Sequence, residues 1–242
     1  MRSLSAAELL EVWERGQLAT PVNRALLLLA AAEPETPPEA LAALAVGRRN
    51  ARLLRLRECT FGPGLKSVTT CPTCGEWLEL ALEVSELLQA FAPVSEDTTA
   101  DGPVWLDAED GRVRFRLPTS LDLAAVAGAG EAAPAALLER CVEEVADAEP
   151  ALPPEVAAAV AERMAEADPL ADPELALTCP ACGDRWSAPL DVVAYFWTEI
   201  EAWARRTLHE VHLLASAYGW SEGTILALSP QRRQAYLELV ST

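Results

Sequence analysis

The sequence of 242 residues predicts an α+β fold that is predominantly helical. Long stretches carry apolar residues at helical spacing between start and stop signals, which is typical of amphipathic helices. Shorter stretches alternate apolar and polar residues after two Cys-Pro-x-Cys-Gly segments and around one Asp-Gly pair, and this period of two indicates strands. Because 51% of the residues are apolar and seven are Trp, the chain can bury a sizeable core.

The two Cys-Pro-x-Cys-Gly segments are the strongest local signal. They read Cys71-Pro-Thr-Cys74-Gly75 and Cys179-Pro-Ala-Cys182-Gly183, and each is preceded by Thr. Eleven residues after its first Cys, each copy continues with Leu, an acidic residue and Val. Each segment places two thiols in a tight turn, and Gly permits the backbone conformation that ends such a turn.

Four thiolates in two such pairs form the closed tetrahedral shell of a structural zinc site. We therefore predict one structural Zn²⁺ ion bound by Cys71, Cys74, Cys179 and Cys182. The two segments would be the halves of a split zinc ribbon, each leading into a strand. A redox pair is the alternative, but a thioredoxin-like motif would occur once, within a βαβ pattern. A compact ribbon has about 15–20 residues between its pairs, so the longer stretch here predicts an insertion.

Five regions follow from these landmarks: an N-terminal helical region (1–57), the first zinc-ribbon half (58–88), an insertion (89–174), the second zinc-ribbon half (175–192) and a C-terminal helical segment (193–242). The formal net charge is −18, and most of the excess acid falls in the insertion. Such a surface repels nucleic acid and anionic lipid. With no export signal or membrane-length apolar run, we expect a cytoplasmic protein.

The N-terminal region is predicted to form three helices, over 3–16, 21–32 and roughly 38–57, with Ser5 capping the first and Pro21 starting the second. The third helix interleaves Leu with five arginines, so we expect a buried side and a charged side. Those arginines are Arg48, Arg49, Arg52, Arg55 and Arg57. We expect them to pair with the acidic insertion or with a partner.

The insertion is predicted to contain a polar linker at 95–102 and a β-hairpin at 104–117. Alternation in the hairpin points Val113, Phe115 and Leu117 inward and three Arg residues outward. A helix capped by Thr119 or Ser120 follows, and further helices are predicted near 134–147 and 154–167, each beginning at Pro.

The C-terminal segment is predicted to begin with a long helix from Asp191 to about Ala217, which Gly219 ends in the left-handed conformation. Ser221 then caps a short helical turn, and Ser229-Pro230 starts a final helix that runs to Val240. Arg232 and Arg233 are expected to be exposed on that helix.

This segment also carries a family resemblance. The residues are Tyr218-Gly-Trp220-Ser221-Glu222, then Ile225-Leu-x-Leu228-Ser, then Arg232-Arg233-x-x-Tyr236-Leu-x-Leu. They resemble the C-terminal signature of the T-even-type phage baseplate proteins, a family found in contractile phage tails and in contractile injection systems derived from them. Arg-Leu-Pro-Thr at 116–119 and the Cys-Pro-x-Cys-Gly segments are similar to its longer members. The resemblance implies a baseplate hub assembly chaperone or a small structural component that binds other baseplate subunits.

The signature residues are therefore the candidate partner-binding residues: Tyr218, Trp220, Ser221, Glu222, Ile225, Leu228, Arg232, Arg233 and Tyr236. Exposed Trp or Tyr beside Arg is typical of interface hot spots. Packing of the helical corner is the other interpretation of the apolar members. For the whole protein, the alternative is a zinc-ribbon adaptor or regulator near nucleic acid or the transcription machinery. The acidic ribbon strands disfavour it.

Catalytic signatures are absent from the sequence, so we expect a non-enzymatic protein without a small-molecule substrate. His209-Glu-Val-His212 has i,i+3 spacing, whereas the zincin motif places its histidines at i,i+4. We therefore interpret both histidines as structural or surface groups. Cys59 and Cys141 match neither Cys-Pro-x-Cys-Gly segment and are predicted to be buried thiols.

Overall fold

The computed structural model describes residues 2–92, 104–108, 111–145 and 153–240, and it is mostly helical with three small antiparallel sheets. The helices are α1 Ala6–Gly16, α2 Pro21–Ala32, α3 Pro38–Ala42, α4 Val46–Phe61, α5 Val84–Ala90, α6 Ser120–Val126, α7 Ala133–Cys141, α8 Pro154–Ala167, α9 Val192–Tyr218, α10 Glu222–Leu226 and α11 Pro230–Val240. The strands are β1 Gly64–Thr70, β2 Trp77–Glu83, β3 Val104–Ala108, β4 Gly111–Phe115, β5 Val142–Val145, β6 Glu174–Thr178 and β7 Arg185–Pro189.

The main hydrophobic core lies among α1, α2, α4 and the first half of α9. Leu28, Leu53 and Ile200 are fully buried there. The predicted start of α1 is confirmed, since Ser5 and Glu8 form a reciprocal capping box. Gly16 packs directly under Trp197, where an added Cβ atom would lie 2.0 Å from the ring.

The predicted third helix is two helices, α3 and α4, and the single-helix prediction is wrong. Residues 43–45 leave the helix because the insertion supplies hydrogen-bond partners here: Val46 N–H donates to Pro118 O at 3.0 Å, and Ala45 bridges to Thr119. The predicted charged side of α4 is also wrong in part, since Arg49 and Arg57 are buried.

Each Cys-Pro-x-Cys-Gly segment is the tip of a two-stranded antiparallel hairpin, β1–β2 for the first and β6–β7 for the second. The strand after each segment is confirmed, whereas β1 and β6, which precede the segments, were not predicted. The hairpins end alike, with Val84 N–H donating to Pro63 O at 3.0 Å and Leu190 N–H donating to Pro173 O at 2.8 Å. A helix follows each hairpin, α5 after the first and α9 after the second.

The insertion contains a three-stranded sheet of order β3-β4-β5 with α8 against one face. Val113, Phe115 and Leu117 are buried, as predicted, and α8 has its predicted bounds. The helix predicted over 134–147 is wrong at its end, because the chain leaves α7 at Cys141 and pairs with β4 as a strand. The linker at 95–102 and the turn residues 109–110 lie outside the described residues.

The C-terminal helices match their predicted starts and stops. Asp191 caps α9 by accepting from Ala194 N–H at 2.9 Å, and Gly219 ends the helix at φ +69°. A separate hydrophobic cluster joins α9 to α10 and α11, and its buried members are Val211, Leu214, Ile225 and Leu237. Among the helices that the structure describes, none combines the length and apolar character needed to cross a membrane.

Candidate metal centre

The thiol groups of Cys71, Cys74, Cys179 and Cys182 meet at one place, with all four Sγ atoms within 4.8 Å of one another. Across the two hairpins, Cys71 Sγ lies 3.7 Å from Cys182 Sγ and Cys74 Sγ lies 3.6 Å from Cys179 Sγ. The first Cys of each pair is buried and the second is exposed, so the cluster lies at the protein surface with two of its four thiols buried.

The turn that presents each pair of thiols has the same geometry in both copies. Gly75 N–H donates to Cys71 O at 2.9 Å, and Gly183 N–H donates to Cys179 O at 2.9 Å. Gly75 and Gly183 have φ of +75° and +77°, in the left-handed region that other residues rarely adopt. The repeated sequence is therefore a repeated structure, and the two turns face each other across the cluster.

The cluster fits a tetrahedral metal ion. Four sulfurs at about 2.3 Å from a central ion lie about 3.8 Å from one another. The 3.6 and 3.7 Å separations across the hairpins are close to that value. The four thiols could therefore hold one metal ion. With four protein ligands such a shell has no open position for a substrate, which is the pattern of a structural site.

The local environment lowers the pKa of one thiol, Cys179, and raises the pKa of another, Cys74. The pKa of Cys179 is lowered to about 7, first because the Cys182 backbone N–H donates to its sulfur and also through the Ala181 N–H. The Glu76 N–H acts to lower the pKa of Cys74, but the neighbouring cysteine sulfurs and desolvation outweigh it and raise the pKa to about 12. Four thiolates this close together repel one another, which raises the pKa values for removing the last protons. A bound cation lowers these pKa values and stabilises the thiolates.

Side chains around the cluster tie the two hairpins together and to α9. Thr73 Oγ1 donates to Asp184 Oδ2 at 2.5 Å, which links one turn directly to the other. Below the thiols, Leu78 packs with Cys71 and Cys179. On β1, Tyr195 of α9 accepts from Lys66 N–H at 2.9 Å and donates to Lys66 O at 3.0 Å.

The candidate partner-binding residues lie together at the corner formed by α9, α10 and α11. The rings of Tyr218 and Trp220 stack with centroids 4.7 Å apart, and Tyr236 packs edge-on against Trp220 at 4.9 Å. Ile225 is fully buried beneath them. Leu228 is half-buried, whereas Ser221, Glu222 and Arg232 are exposed.

The prediction that both arginines of α11 are exposed is wrong for Arg233, which is buried. Its side chain is 8% exposed, and its Nε lies 2.7 Å from Glu210 Oε2 of α9, at an angle outside hydrogen-bond geometry. The two consecutive arginines point in different directions because successive residues on a helix are about 100° apart. Arg233 therefore holds α11 on α9, and Arg232 is the exposed arginine of the two.

The remaining candidates lie apart from the thiol cluster. His209 and His212 are exposed on α9. Cys141 is buried as predicted, and desolvation raises its pKa to about 11. Cys59 is exposed, so its predicted burial is wrong: it occupies the side of α4 that faces away from the core.

Sequence reasoning also missed two ion-pair clusters, each of which contains one buried charged residue, Arg57 in the first and Asp122 in the second. Arg57 donates from Nε and Nη2 to Glu199 of α9 at 2.8 and 2.6 Å. Asp122, only 2% exposed, pairs with Arg116 and Arg140. Thr119 followed three residues later by Asp122 was a sequence signal for a capping box, but Arg57 and Glu199 are too far apart in the sequence to suggest each other.

Comparisons with protein-family models, with curated proteins and with solved structures found no match for this chain.

Proposed function

We propose that the thiol cluster binds one structural zinc ion. Four cysteine thiolates in two short turns are the donor set that zinc prefers, and the sulfur separations suit its bond length. The ion would supply a cross-link between the two hairpins and no chemistry on a substrate. Because the hairpins flank the insertion, this cross-link would hold its two ends together and fix the start of α9.

We propose further that the chain is a non-enzymatic protein-binding factor for the baseplate of a phage tail-like contractile particle. It would act as an assembly chaperone or as a small structural component, with other baseplate or hub subunits as its partners. The observation that supports this proposal is the corner at Tyr218, Trp220 and Tyr236, where three aromatic residues of the resemblance pack against one another.

The corner has the properties of a preorganised docking surface. Stacked aromatic rings present a large contact area with little conformational entropy to lose on binding. Ile225 and Leu237 pack beneath the corner, and the ion pair of Arg233 with Glu210 fixes α11. Tyr218 and Leu239 are exposed, with relative accessibilities of 39% and 68%. The nearby Arg232 adds a residue type that is enriched in interface hot spots.

Affinity purification of the full chain from its native cell, with mass spectrometry of bound proteins and metal analysis, tests both proposals. We expect about one zinc per chain and enrichment of baseplate or hub subunits. Trp220→Ala combined with Arg232→Ala should reduce that enrichment at least about tenfold, the loss expected when hot-spot residues are truncated. Arg206→Ala, an exposed arginine on α9, is the control and should leave capture unchanged.

The outcome also distinguishes the alternative role. Salt-dependent binding to DNA or RNA, or enrichment of transcription proteins in place of baseplate subunits, contradicts the baseplate proposal. Full capture by the Trp220 and Arg232 double variant contradicts the assignment of the docking surface. A thermal melting curve for each variant shows whether a loss of capture reflects a loss of folding.

A further inference from the structure

A cavity of about 960 Å³ lies between the N-terminal helices and the insertion. Its walls come from α2, α4, α6, α7, α8 and the start of α9, and the lining is mostly aliphatic, as at Leu123, Leu138 and Met164. It reaches the surface beside Ala135 and Ala161, which are exposed. Cavities of about 300–1,000 Å³ with mostly apolar walls and a few polar groups are typical small-molecule sites.

Arg49 is the buried cation in this lining, with only 5% of its surface exposed. Its Nε and Nη2 donate to Asn50 Oδ1 at 3.2 and 2.9 Å, and Nη1 donates to Ser120 Oγ at 3.2 Å. A guanidinium has five N–H groups, so two of them have no acceptor among the described residues. Arg49 also forms no ion pair with a described carboxylate, and desolvation lowers its pKa.

The neighbours of Arg49 hold it in position, and Asp168 and Asp191 stabilise its charge from a distance without forming an ion pair with it. Asn50 Nδ2 donates to Leu170 O at 2.9 Å, so the amide that accepts from Arg49 is itself fixed. Asp168 accepts from Gly47 N–H at 2.8 Å, and Asp191 accepts from Ala194 N–H at 2.9 Å, so both nearby carboxylates have other hydrogen bonds. A buried charge without a direct partner is costly, and a bound anion offsets that cost.

We propose that this cavity binds an apolar small molecule that carries one carboxylate, of the class of medium-chain aliphatic acids. The carboxylate accepts from the two N–H groups of Arg49 that have no acceptor among the described residues, and the hydrocarbon chain lies along the aliphatic wall. Arg49 is the buried cation of the lining, whereas the lining carboxylates Asp172 and Asp191 are exposed. A guanidinium with two free N–H groups suits a carboxylate in charge and in geometry. The site differs from the sequence-based expectation of no small-molecule ligand, and it does not depend on the proposed baseplate role.

Isothermal titration calorimetry of the full chain with decanoate, below its micelle concentration, tests the chemistry. We expect saturable binding of one decanoate per chain. Decanol, which has the same chain without the charge, should bind at least about tenfold more weakly, since hydrogen bonds to a charged group contribute about 1.5–3 kcal/mol. Decylammonium should not bind. Equal affinities for the acid and the alcohol, or no binding of decanoate, overturn the proposal.

Variants on α8 test the location without touching Arg49. Ala157→Trp with Ala161→Trp places two large rings in the cavity and should abolish decanoate binding. Ala158→Trp with Ala165→Trp adds the same rings at exposed positions outside the lining and should leave binding unchanged. Retained binding in the first double variant, with a wild-type melting curve, places the ligand elsewhere and overturns the proposal.

Arg49 itself is tested by substitution and by competition. Arg49→Met should equalise the affinities for decanoate and decanol, whereas Arg49→Lys should preserve a preference for the acid. If Arg49→Met does not fold, the two α8 double variants and the comparison of acid with alcohol decide the outcome. A short apolar peptide with a free carboxyl end that displaces decanoate at lower concentration overturns the small-molecule assignment in favour of a protein segment.

Discussion

Cys71 Sγ and Cys182 Sγ lie 3.7 Å apart, although 111 positions separate the two residues in the sequence. The second crossed pair, Cys74 and Cys179, lies at 3.6 Å with a separation of 105 positions. The insertion therefore leaves the first hairpin and returns to the second at the same point. Closing a loop of this length costs conformational entropy, and the free energy of binding a metal ion at the assembled site would offset that cost.

Cys182→Ser should lose the bound metal and lower the thermal stability of the chain, because structural metal sites contribute folding free energy directly. Metal content per chain, measured by elemental analysis, and the melting temperature check this expectation. Cys59→Ser is the matched control, because Cys59 is exposed and is not a member of the cluster. A Cys182→Ser protein with full metal content and wild-type melting would contradict the metal site.

The ion pair between Arg57 and Glu199 joins α4 to α9, and Arg57 also donates to Gly62 O at 2.6 Å. Arg57→Met should destabilise the fold by about 1–3 kcal/mol, since it removes charge-assisted hydrogen bonds and leaves the partly buried Glu199 carboxylate without its partner. Urea denaturation measures the change. Arg55→Met, on the exposed side of the same helix, should stay within about 0.5 kcal/mol of wild type. Similar effects for both variants would show that Arg57 contributes no more than a surface arginine.

Asp122 gives a prediction about pH. Burial acts to raise its pKa, but hydrogen bonds from Arg116 and Thr119 outweigh burial and hold the pKa well below its usual range. Its contribution to stability is therefore complete above about pH 4, the pKa of an unfolded Asp, and is lost as the pH falls below that value. Asp122→Asn should cost about 2 kcal/mol at pH 7. The difference between variant and wild type should shrink toward pH 2 in denaturation curves, and a difference that stays constant with pH would contradict the role of the charge.

The sequence predicted elements whose signals are local. Ser5, Asp191 and Gly219 form the caps expected of them, because capping depends on residues within one turn of the helix end. The Cys-Pro-x-Cys-Gly segments predicted the thiol cluster for the same reason, since each turn is encoded in five residues. The duplication of the turn then suggested that the two copies meet.

The sequence did not predict features that depend on distant residues. Val142–Val145 has a helical pattern, but pairing with β4 and ion pairs from Arg114 to Glu143 and Glu144 make it a strand. The break before α4 has neither Gly nor Pro, and it exists because Pro118 supplies an acceptor to Val46 N–H. Tertiary contacts override local propensity in both places.

Gly47 is another position whose role depends on a distant contact. A Cβ atom there would lie 1.8 Å from Asp168 Oδ1, so Gly47→Ala should push away the carboxylate that accepts from the Gly47 N–H. We expect a loss of about 1–3 kcal/mol in the free energy of unfolding, the range for overpacking a tight contact. Gly223→Ala has open space around its Cβ and should be neutral or slightly stabilising. Equal stabilities for the two variants would contradict the tight contact at α4.

Variants of the two neighbouring arginines of α11 test stability and partner binding separately. Arg233→Ala leaves Glu210 without its partner in a largely buried contact, so the melting temperature should fall. Arg232→Ala removes an exposed side chain, so the melting temperature should not change while capture of a partner at the corner weakens. Thermal melting and co-purification of both variants check this division. If Arg232→Ala also lowers the melting temperature by a similar amount, its effect on capture no longer identifies a docking residue. If capture is lost only with Arg233→Ala, the corner supports the fold and partners bind elsewhere.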